Sequence, residues 1–133
     1  SGAIKQLMDS TEWGDLDYLF IDMPPGTGDA YLTVAKDLKP DSAILVTTES
    51  PLAVQDTLKS KILFQKLNIP ILGYINNMVS SSSSGGGTEG DITNILGLDL
   101  LGSIPMDDDV ANFNLIGSAK LFESTYNNLK III

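Results

Sequence analysis

Four stretches of the chain are apolar along almost their whole length, and this pattern constrains the fold more than any other feature. They are DYLFIDM (17–23), SAILVTT (42–48), PILGYINNM (70–78) and LLGSIPMD (100–107). A strand with one face in water alternates apolar and polar residues, so continuous apolar runs predict strands that are buried on both faces. Such strands are typical of parallel sheets covered by helices.

Segments with helical periodicity alternate with these runs. They are GAIKQLMDS (2–10), AYLTVAKDL (30–38) with Asp29 as the expected N-cap, a long segment over 49–67, and 118–133 at the end. In the long segment we expect Ser50 as N-cap, Pro51 as the first helical residue, and an inner stripe of Val54, Leu58, Ile62 and Leu67. The alternation predicts one α/β domain over residues 1–133, with a parallel sheet flanked by helices.

Each apolar run ends in polar side chains. These groups lie in residues 22–29, 47–50, 76–77 and 105–107. Parallel strands end at one edge of their sheet, and ligands of such sheets bind beyond the carboxyl ends of the strands. One alternative is that each strand end simply meets water and turns, but four such ends together favour a ligand site at this edge.

The charge and composition exclude several classes of function. The chain has 17 acidic and 8 basic residues, a net charge of −9, and a pI of about 4.1. This balance disfavours nonspecific binding to nucleic acid or to an anionic membrane surface. Cysteine and histidine are absent, which excludes disulfides, thiolate or imidazole metal sites, and Ser-His or Cys-His catalysis by these residues. With neither a membrane-spanning run nor a signal pattern in the sequence, we expect a soluble cytoplasmic protein.

One segment departs from the alternation of strands and helices. SSSSSGGGTEG (80–90) has low complexity and no apolar anchor, which predicts a flexible Ser/Gly loop. On composition alone it is a linker.

The turn after the first run combines rigid and permissive residues. A strand that ends in Asp22 fits the Walker B pattern, in which a carboxylate lies near Mg²⁺ and bound phosphates. Pro24 and Pro25 each fix φ and lack an amide donor. Gly26 and Gly28 allow close backbone approach or a positive φ, and Thr27 adds a hydroxyl between them. Such a loop can sense a terminal phosphate; the alternative is a tight strand-to-helix connection.

The string WGDLDYLFIDMPPGTGD (13–29) resembles the switch II region of the Mrp/ApbC family. This family comprises ATP-binding iron–sulfur cluster carriers among the MinD/ParA-like P-loop NTPases. The resemblance continues, in family order and at family spacing, through ILVTTESPLAVQD, KLNIPILGYINNM and LGSIPMD, and covers most of residues 2–107. It implies a partial P-loop NTPase (MinD/ParA-like) fold, running from Walker B and switch II to the base-recognition segment.

The resemblance also implies roles for individual residues. Asp22 is the Walker B carboxylate, catalytic and holding Mg²⁺ through water. The switch on the γ-phosphate side comprises Pro24, Gly26, Thr27 and Gly28. The Asn77 amide reads the adenine ring, although without the resemblance a turn residue that closes the strand is the better interpretation of Asn77. The loop that flanks the base contributes Pro105 and Asp107, and Thr48 and Glu49 lie at the end of the strand that lines the site.

Two family motifs are missing from the 133 residues. No G-x-x-x-x-G-K-[ST] phosphate loop occurs, so we expect no efficient ATP hydrolysis by these residues alone. The chain begins where the second half of the family begins, which suggests a fragment, a split gene product or a truncated reading frame. The usual Cys-x-x-Cys pair is replaced by VSSSSSGGGTEG (79–90), and serine hydroxyls do not replace thiolates on iron. Iron–sulfur carriage in the usual mode is therefore not expected.

The resemblance predicts part of an ATP- and Mg²⁺-dependent iron–sulfur cluster carrier. The intact family member is expected to form a homodimer and to serve iron–sulfur client proteins. One alternative is a noncatalytic nucleotide- or partner-binding module that takes its P-loop from another chain. Another is a MinD/ParA-like positioning ATPase, which the absence of a basic membrane tail or DNA-binding patch disfavours.

Overall fold

The structure is a computed structural model that describes residues 2–23, 28–80, 87–108 and 119–132. The helices are α1 (Gly2–Ser10), α2 (Asp29–Leu38), α3 (Pro51–Lys66), α4 (Gly87–Leu96) and α5 (Glu123–Ile132), with a 3₁₀ turn at Ala119–Phe122 before α5. The strands are β1 (Ala43–Thr47), β2 (Ile71–Val79) and β3 (Leu100–Pro105). Among the described helices, none is both long and apolar enough to cross a bilayer.

The three strands form a parallel sheet in the order β1-β2-β3. Helix α3 connects β1 to β2, and α4 lies between β2 and β3 in the chain. In the register of the sheet, Thr47 of β1 lies beside Asn76 of β2, and Asn76 lies beside Ser103 of β3. The predicted α/β class with a helix-flanked parallel sheet is therefore confirmed.

The core lies between one face of the sheet and helices α2, α3 and α4. Tyr74 at the centre of β2 is fully buried in a cluster with Leu45, Val54, Phe64, Ile92 and Leu96. The rings of Tyr31 on α2 and Phe64 on α3 lie 5.5 Å apart. Burial raises the pKa of the Tyr31 hydroxyl, and a hydrogen bond with Ser60 acts in the opposite direction. On β3, helix α5 packs at Gly102, and Asn128 Nδ2 donates to the Leu101 carbonyl at 2.7 Å.

The first apolar run does not form the predicted strand, and this prediction is wrong. Residues 17–23 are irregular, and the side chains of Tyr18 and Phe20 are 54% and 72% exposed. A strand exists only by pairing, and in the described part of the chain β1 pairs with β2 alone. The apolar pattern of the run indicates a preference for strand, but no neighbouring strand with which it could pair is present among the described residues.

Helix α3 confirms Ser50 as N-cap and Pro51 as first residue, but corrects the predicted stripe. Its buried residues are Val54, Thr57 and Phe64, whereas Ile62 is 45% exposed. At about 100° per residue, Ile62 lies about 80° from Val54 on one side, while Thr57 and Phe64 lie on the other. Leu58 and Leu67 pack against the core as expected.

Two boundaries also differ from the predictions. Gly28 is the N-cap of α2, and Asp29 is its first helical residue. The predicted loop over 80–90 is shorter, because residues 87–90 form the first turn of α4; residues 81–86 lie outside the described residues. The Ser/Gly composition hides the start of α4 from sequence reasoning. Two helix signals were nevertheless present: the apolar pair Ile92 and Leu96 at i, i+4, and Gly97, which follows the helix with φ +57°.

We predict that Gly73→Ala lowers the free energy of unfolding by about 2 kcal/mol or more, measured by urea denaturation. Gly73 has φ +153°, and an added Cβ would lie 2.5 Å from the Asp99 carbonyl oxygen. Gly28→Ala is the matched control, with φ −74° and no heavy atom within 4 Å of the added Cβ. We expect this control to cost less than about 1 kcal/mol. Equal losses in the two variants would contradict the close approach at Gly73.

A second prediction concerns the C-terminus of α4, where Lys61 Nζ donates to the Leu96 carbonyl. A cation at a helix C-terminus satisfies an unpaired carbonyl and interacts favourably with the helix dipole. Lys61→Met should therefore lower the free energy of unfolding by about 1 kcal/mol. Lys59→Met serves as control, because its pair with Asp56 is exposed and should contribute less than about 0.5 kcal/mol. If Lys61→Met is as stable as Lys59→Met or more stable, the bond from Lys61 to the Leu96 carbonyl does not stabilise the C-terminus of α4.

Candidate functional site

The loops after the three strands meet at the carboxyl edge of the sheet. The amide of Met106, just beyond β3, donates to the Val79 carbonyl at the end of β2 at 2.9 Å. Across the β1–β2 side, the Ser80 amide donates to Glu49 Oε2 at 3.4 Å. These bonds bring together three groups of residues that were predicted separately from the sequence: Thr48 and Glu49, then Asn77, then Pro105 and Asp107.

The end of β2 departs from regular strand geometry at the predicted base-reading residue. The register with β3 shifts between Asn76 and Val79, and Met78 has φ +55°. A left-handed conformation is uncommon outside glycine, and such irregularities re-aim side chains at the ends of strands. Asn77 is half-buried, and Asn76 before it is fully buried. The irregularity therefore lies at the residue to which the base contact was assigned.

The connection from β1 to α3 is held by local hydroxyl bonds. The Thr47 hydroxyl donates to the Thr48 carbonyl at 3.2 Å, and the Ser50 amide donates to Thr48 Oγ1 at 3.3 Å. These bonds fix a short polar turn directly before the N-terminus of α3. Thr48 and Glu49 are half-buried in that turn, on the edge that also carries Asn77.

Of the predicted Walker B and switch residues, the structure describes Asp22 and Gly28. Asp22 is exposed in the irregular stretch after residue 21, and no hydrogen bond or ion pair links it to the edge within the described residues. Pro24, Gly26 and Thr27 lie outside the described residues. Gly28 is exposed with φ −74°, so the option of a positive φ is wrong at this position. Open space lies where a Gly28 side chain would project.

The chemistry available at the edge is amide, hydroxyl and carboxylate. No basic side chain belongs to the segments 47–50, 76–80 or 105–108. Among the described residues there is also no cluster of three or more His, Cys, Asp or Glu that could hold a metal ion. The edge can donate and accept hydrogen bonds around a heterocycle, but it supplies no positive charge for phosphates.

The sequence pattern counted Asn76 among the polar residues of the predicted ligand edge but gave it no role of its own, and its side chain is 0% exposed. Neither Oδ1 nor Nδ2 has a hydrogen-bond partner in the described part of the chain. The period of two along a strand was the available signal, because it places Asn76 on the same face as Tyr74. Asn76 is thus a buried polar residue beside the residue that the sequence singled out.

Comparisons with known proteins agree on one family. The profile described as "ParA: NUBPL iron-transfer P-loop NTPase" matches residues 1–130. The iron-sulfur cluster carrier protein of Aquifex aeolicus is 40% identical over 118 residues, which cover 82% of this chain and 32% of the relative. The iron-sulfur cluster transfer protein NUBPL of Mus musculus is 33% identical over 129 residues, which cover 90% and 40%.

The comparison with solved structures concerns the fold alone. The cell division ATPase MinD of Pyrococcus furiosus superposes with a TM-score of 0.75 at 24% identity, covering 99% of this chain and 57% of that one. The chain therefore has a MinD-like fold, and it spans about a third to two-fifths of the length of the two curated relatives. Because the family profile extends over nearly all of its residues, the chain belongs to the ParA/NUBPL iron-transfer family of P-loop NTPases.

Proposed function

We propose that these residues form the switch and base-recognition portion of an ATP-binding, ATP-hydrolysing iron–sulfur cluster carrier. The observation that carries the proposal is the convergence of the three loops, joined by the Met106–Val79 and Ser80–Glu49 bonds, in a chain of this family. Convergence at the carboxyl edge of a parallel sheet is the arrangement in which such folds bind nucleotides.

Adenine recognition is assigned to the end of β2 and the loop after β3. A carboxamide offers one donor and one acceptor side by side, which complements the N6 and N7 edge of adenine. Asn77 carries such a group beside the strand irregularity. Pro105 at the end of β3 and Asp107 in the loop after it flank the base, and the Met106–Val79 bond fixes the position of this segment.

Mg²⁺ and the terminal phosphate are assigned to the segment after residue 21. Mg²⁺ is held in such sites by one or two carboxylates together with water and phosphate oxygens. The exposed carboxylate of Asp22 fits that donor set, and bound Mg²⁺ would neutralise charge that develops on the phosphates. Pro24, Gly26, Thr27 and Gly28 form the proposed contact with the γ-phosphate side.

The phosphate cradle must come from polypeptide outside these 133 residues, in a longer form of this chain or in another chain. The sequence contains no G-x-x-x-x-G-K-[ST] motif. In the described residues, β1 has one unpaired edge, and the apolar run at 17–21 is exposed. A strand that precedes a P-loop would pair with such an edge and cover apolar side chains. The unpaired edge and the exposed run favour a second candidate function. In it, the 133 residues form a single partial domain that is a noncatalytic module and takes its P-loop from another chain.

The iron–sulfur cluster is assigned as cargo of the complete protein rather than of these residues. Both curated relatives are named for cluster carriage or transfer. The 133 residues contain no cysteine and therefore supply no thiolate ligand for iron. Within the proposal, they supply the nucleotide response of a cytoplasmic carrier that acts as a homodimer on iron–sulfur client proteins.

The base assignment predicts that Asn77→Ala weakens adenosine binding by about tenfold, because one paired donor and acceptor are lost. Adenosine is the appropriate probe, since it needs no phosphate cradle. Binding is measured by ligand-observed NMR titration of the isolated chain. Asn94→Ala, on the exposed side of α4, is the control and should leave the affinity unchanged. Equal affinities of the Asn77 variant and the parent would remove Asn77 from the base site.

We predict that the 133-residue chain hydrolyses Mg-ATP only when a second polypeptide supplies the P-loop. The isolated chain should show no turnover above background, and turnover should appear on mixing with a polypeptide that carries the strand and P-loop of a relative. In that mixture, Asp22→Asn should lower the rate by about 100-fold or more, because the metal loses its carboxylate. The control is Asp37→Asn on the exposed side of α2. Turnover by the isolated chain would disprove the requirement for a separate cradle.

A further inference from the structure

Asn76 is a carboxamide buried in the interior with both of its polar atoms unpaired. Its side chain is 0% exposed, and neither Oδ1 nor Nδ2 has a partner in the described part of the chain. Buried polar atoms in native proteins are nearly always hydrogen-bonded to protein or to ordered water. Two unpaired atoms on one side chain therefore indicate a ligand that the protein itself does not supply.

The neighbours of Asn76 across the sheet are also polar. Thr47 on β1 and Ser103 on β3 are its register partners, so the three side chains form one row on one face of the sheet. Adjacent strands lie about 4.8 Å apart, so a water can bridge Asn76 to either neighbour, whereas Thr47 and Ser103 lie two strand spacings apart. The Thr47 hydroxyl donates to the Thr48 carbonyl and keeps capacity to accept.

An apolar residue would otherwise be the favourable choice at position 76. Tyr74, two residues earlier on the same face, lies among Leu45, Val54 and Leu96, and its hydroxyl pairs with Thr93 Oγ1 at 2.8 Å. A buried amide without partners destabilises a core, whereas an apolar group of similar shape does not. Water is small enough for an enclosed site and both donates and accepts, and buried waters typically make about three hydrogen bonds.

We propose that the Thr47–Asn76–Ser103 row is an internal water-binding site that ties the carboxyl ends of the three strands together. Asn76 is then a positioning residue, because Glu49, Asn77 and Pro105 each lie within two residues of a member of the row. The Met106–Val79 hydrogen bond lies just beyond it and reports on the order of this edge. The inference goes beyond the proposed function, and it stands whether or not the edge binds a nucleotide.

The first test is made on the unmodified chain. Water-to-protein magnetisation transfer by NMR should give a cross-peak between a long-lived water and the Asn76 side-chain amide. The sign expected for a molecule that tumbles with the protein distinguishes it from exchanging solvent. A well-resolved Asn76 amide without such a cross-peak would overturn the proposal.

The second test uses Asn76→Leu, which fills the site with an apolar side chain of similar size. The cross-peak should vanish, and hydrogen exchange at the Met106 amide should accelerate at least tenfold. The Tyr74 amide, which donates to the carbonyl of Asp99 just before β3, is the internal control and should change less than twofold. Equal acceleration at the Met106 and Tyr74 amides would indicate general destabilisation. Unchanged exchange at both amides would show that the row does not order the strand ends. Either result would refute the proposal that the row ties the three strands together.

Thr47→Val keeps the test decisive if the leucine variant does not fold. Valine preserves the shape of threonine and removes only the hydroxyl of the row. The same difference between Met106 and Tyr74 should appear, by about threefold or more at Met106, with loss or shift of the water cross-peak. A Thr47→Val protein with the parent cross-peak and the parent exchange rates would rule out the row as a shared water site.

Discussion

Parallel pairing of β2 with a strand on each side is the interaction on which the rest of the structure depends. Strand β2 lies between β1 and β3, and its Tyr74 is fully buried where the helices of the covered face meet the sheet. The same pairing sets the register that brings the three carboxyl ends to one edge. The backbone hydrogen bonds of the sheet therefore set where the loops of the candidate site begin.

Sequence pattern predicted the elements whose partners lie within the chain. The runs at 42–48, 70–78 and 100–107 became strands because each has a neighbour to pair with, and Ser50-Pro51 marked the start of α3 correctly. The run at 17–23 has the same apolar pattern, yet a pattern reports only the preference of a segment and not the presence of its neighbour. The sequence placed Asn77 at the edge, but the unpaired state of Asn76 depends on what surrounds it in three dimensions.

Under the proposed function, the candidate site separates two tasks that a nucleotide imposes on a protein. Recognition of a base needs a few directed hydrogen bonds, and the edge holds suitable amide and carboxylate groups in a setting ordered by the sheet. Binding of phosphates needs positive charge and free backbone amides, which the edge segments do not provide. This division explains how a chain of net charge −9 can belong to a nucleotide-dependent family without itself attracting polyanions.

The uncovered side of β1 also bears on how the protein behaves in solution. Val46, on the opposite face from Leu45, is 58% exposed, and the strand pairs on one edge only in the described residues. An unpaired strand beside exposed apolar side chains is a template on which further copies can add. The repulsion between copies of charge −9 opposes this addition, and at 1 M salt it is screened within about 3 Å. We therefore expect added salt to promote association of the isolated chain, and a strand that covers this edge to weaken that dependence.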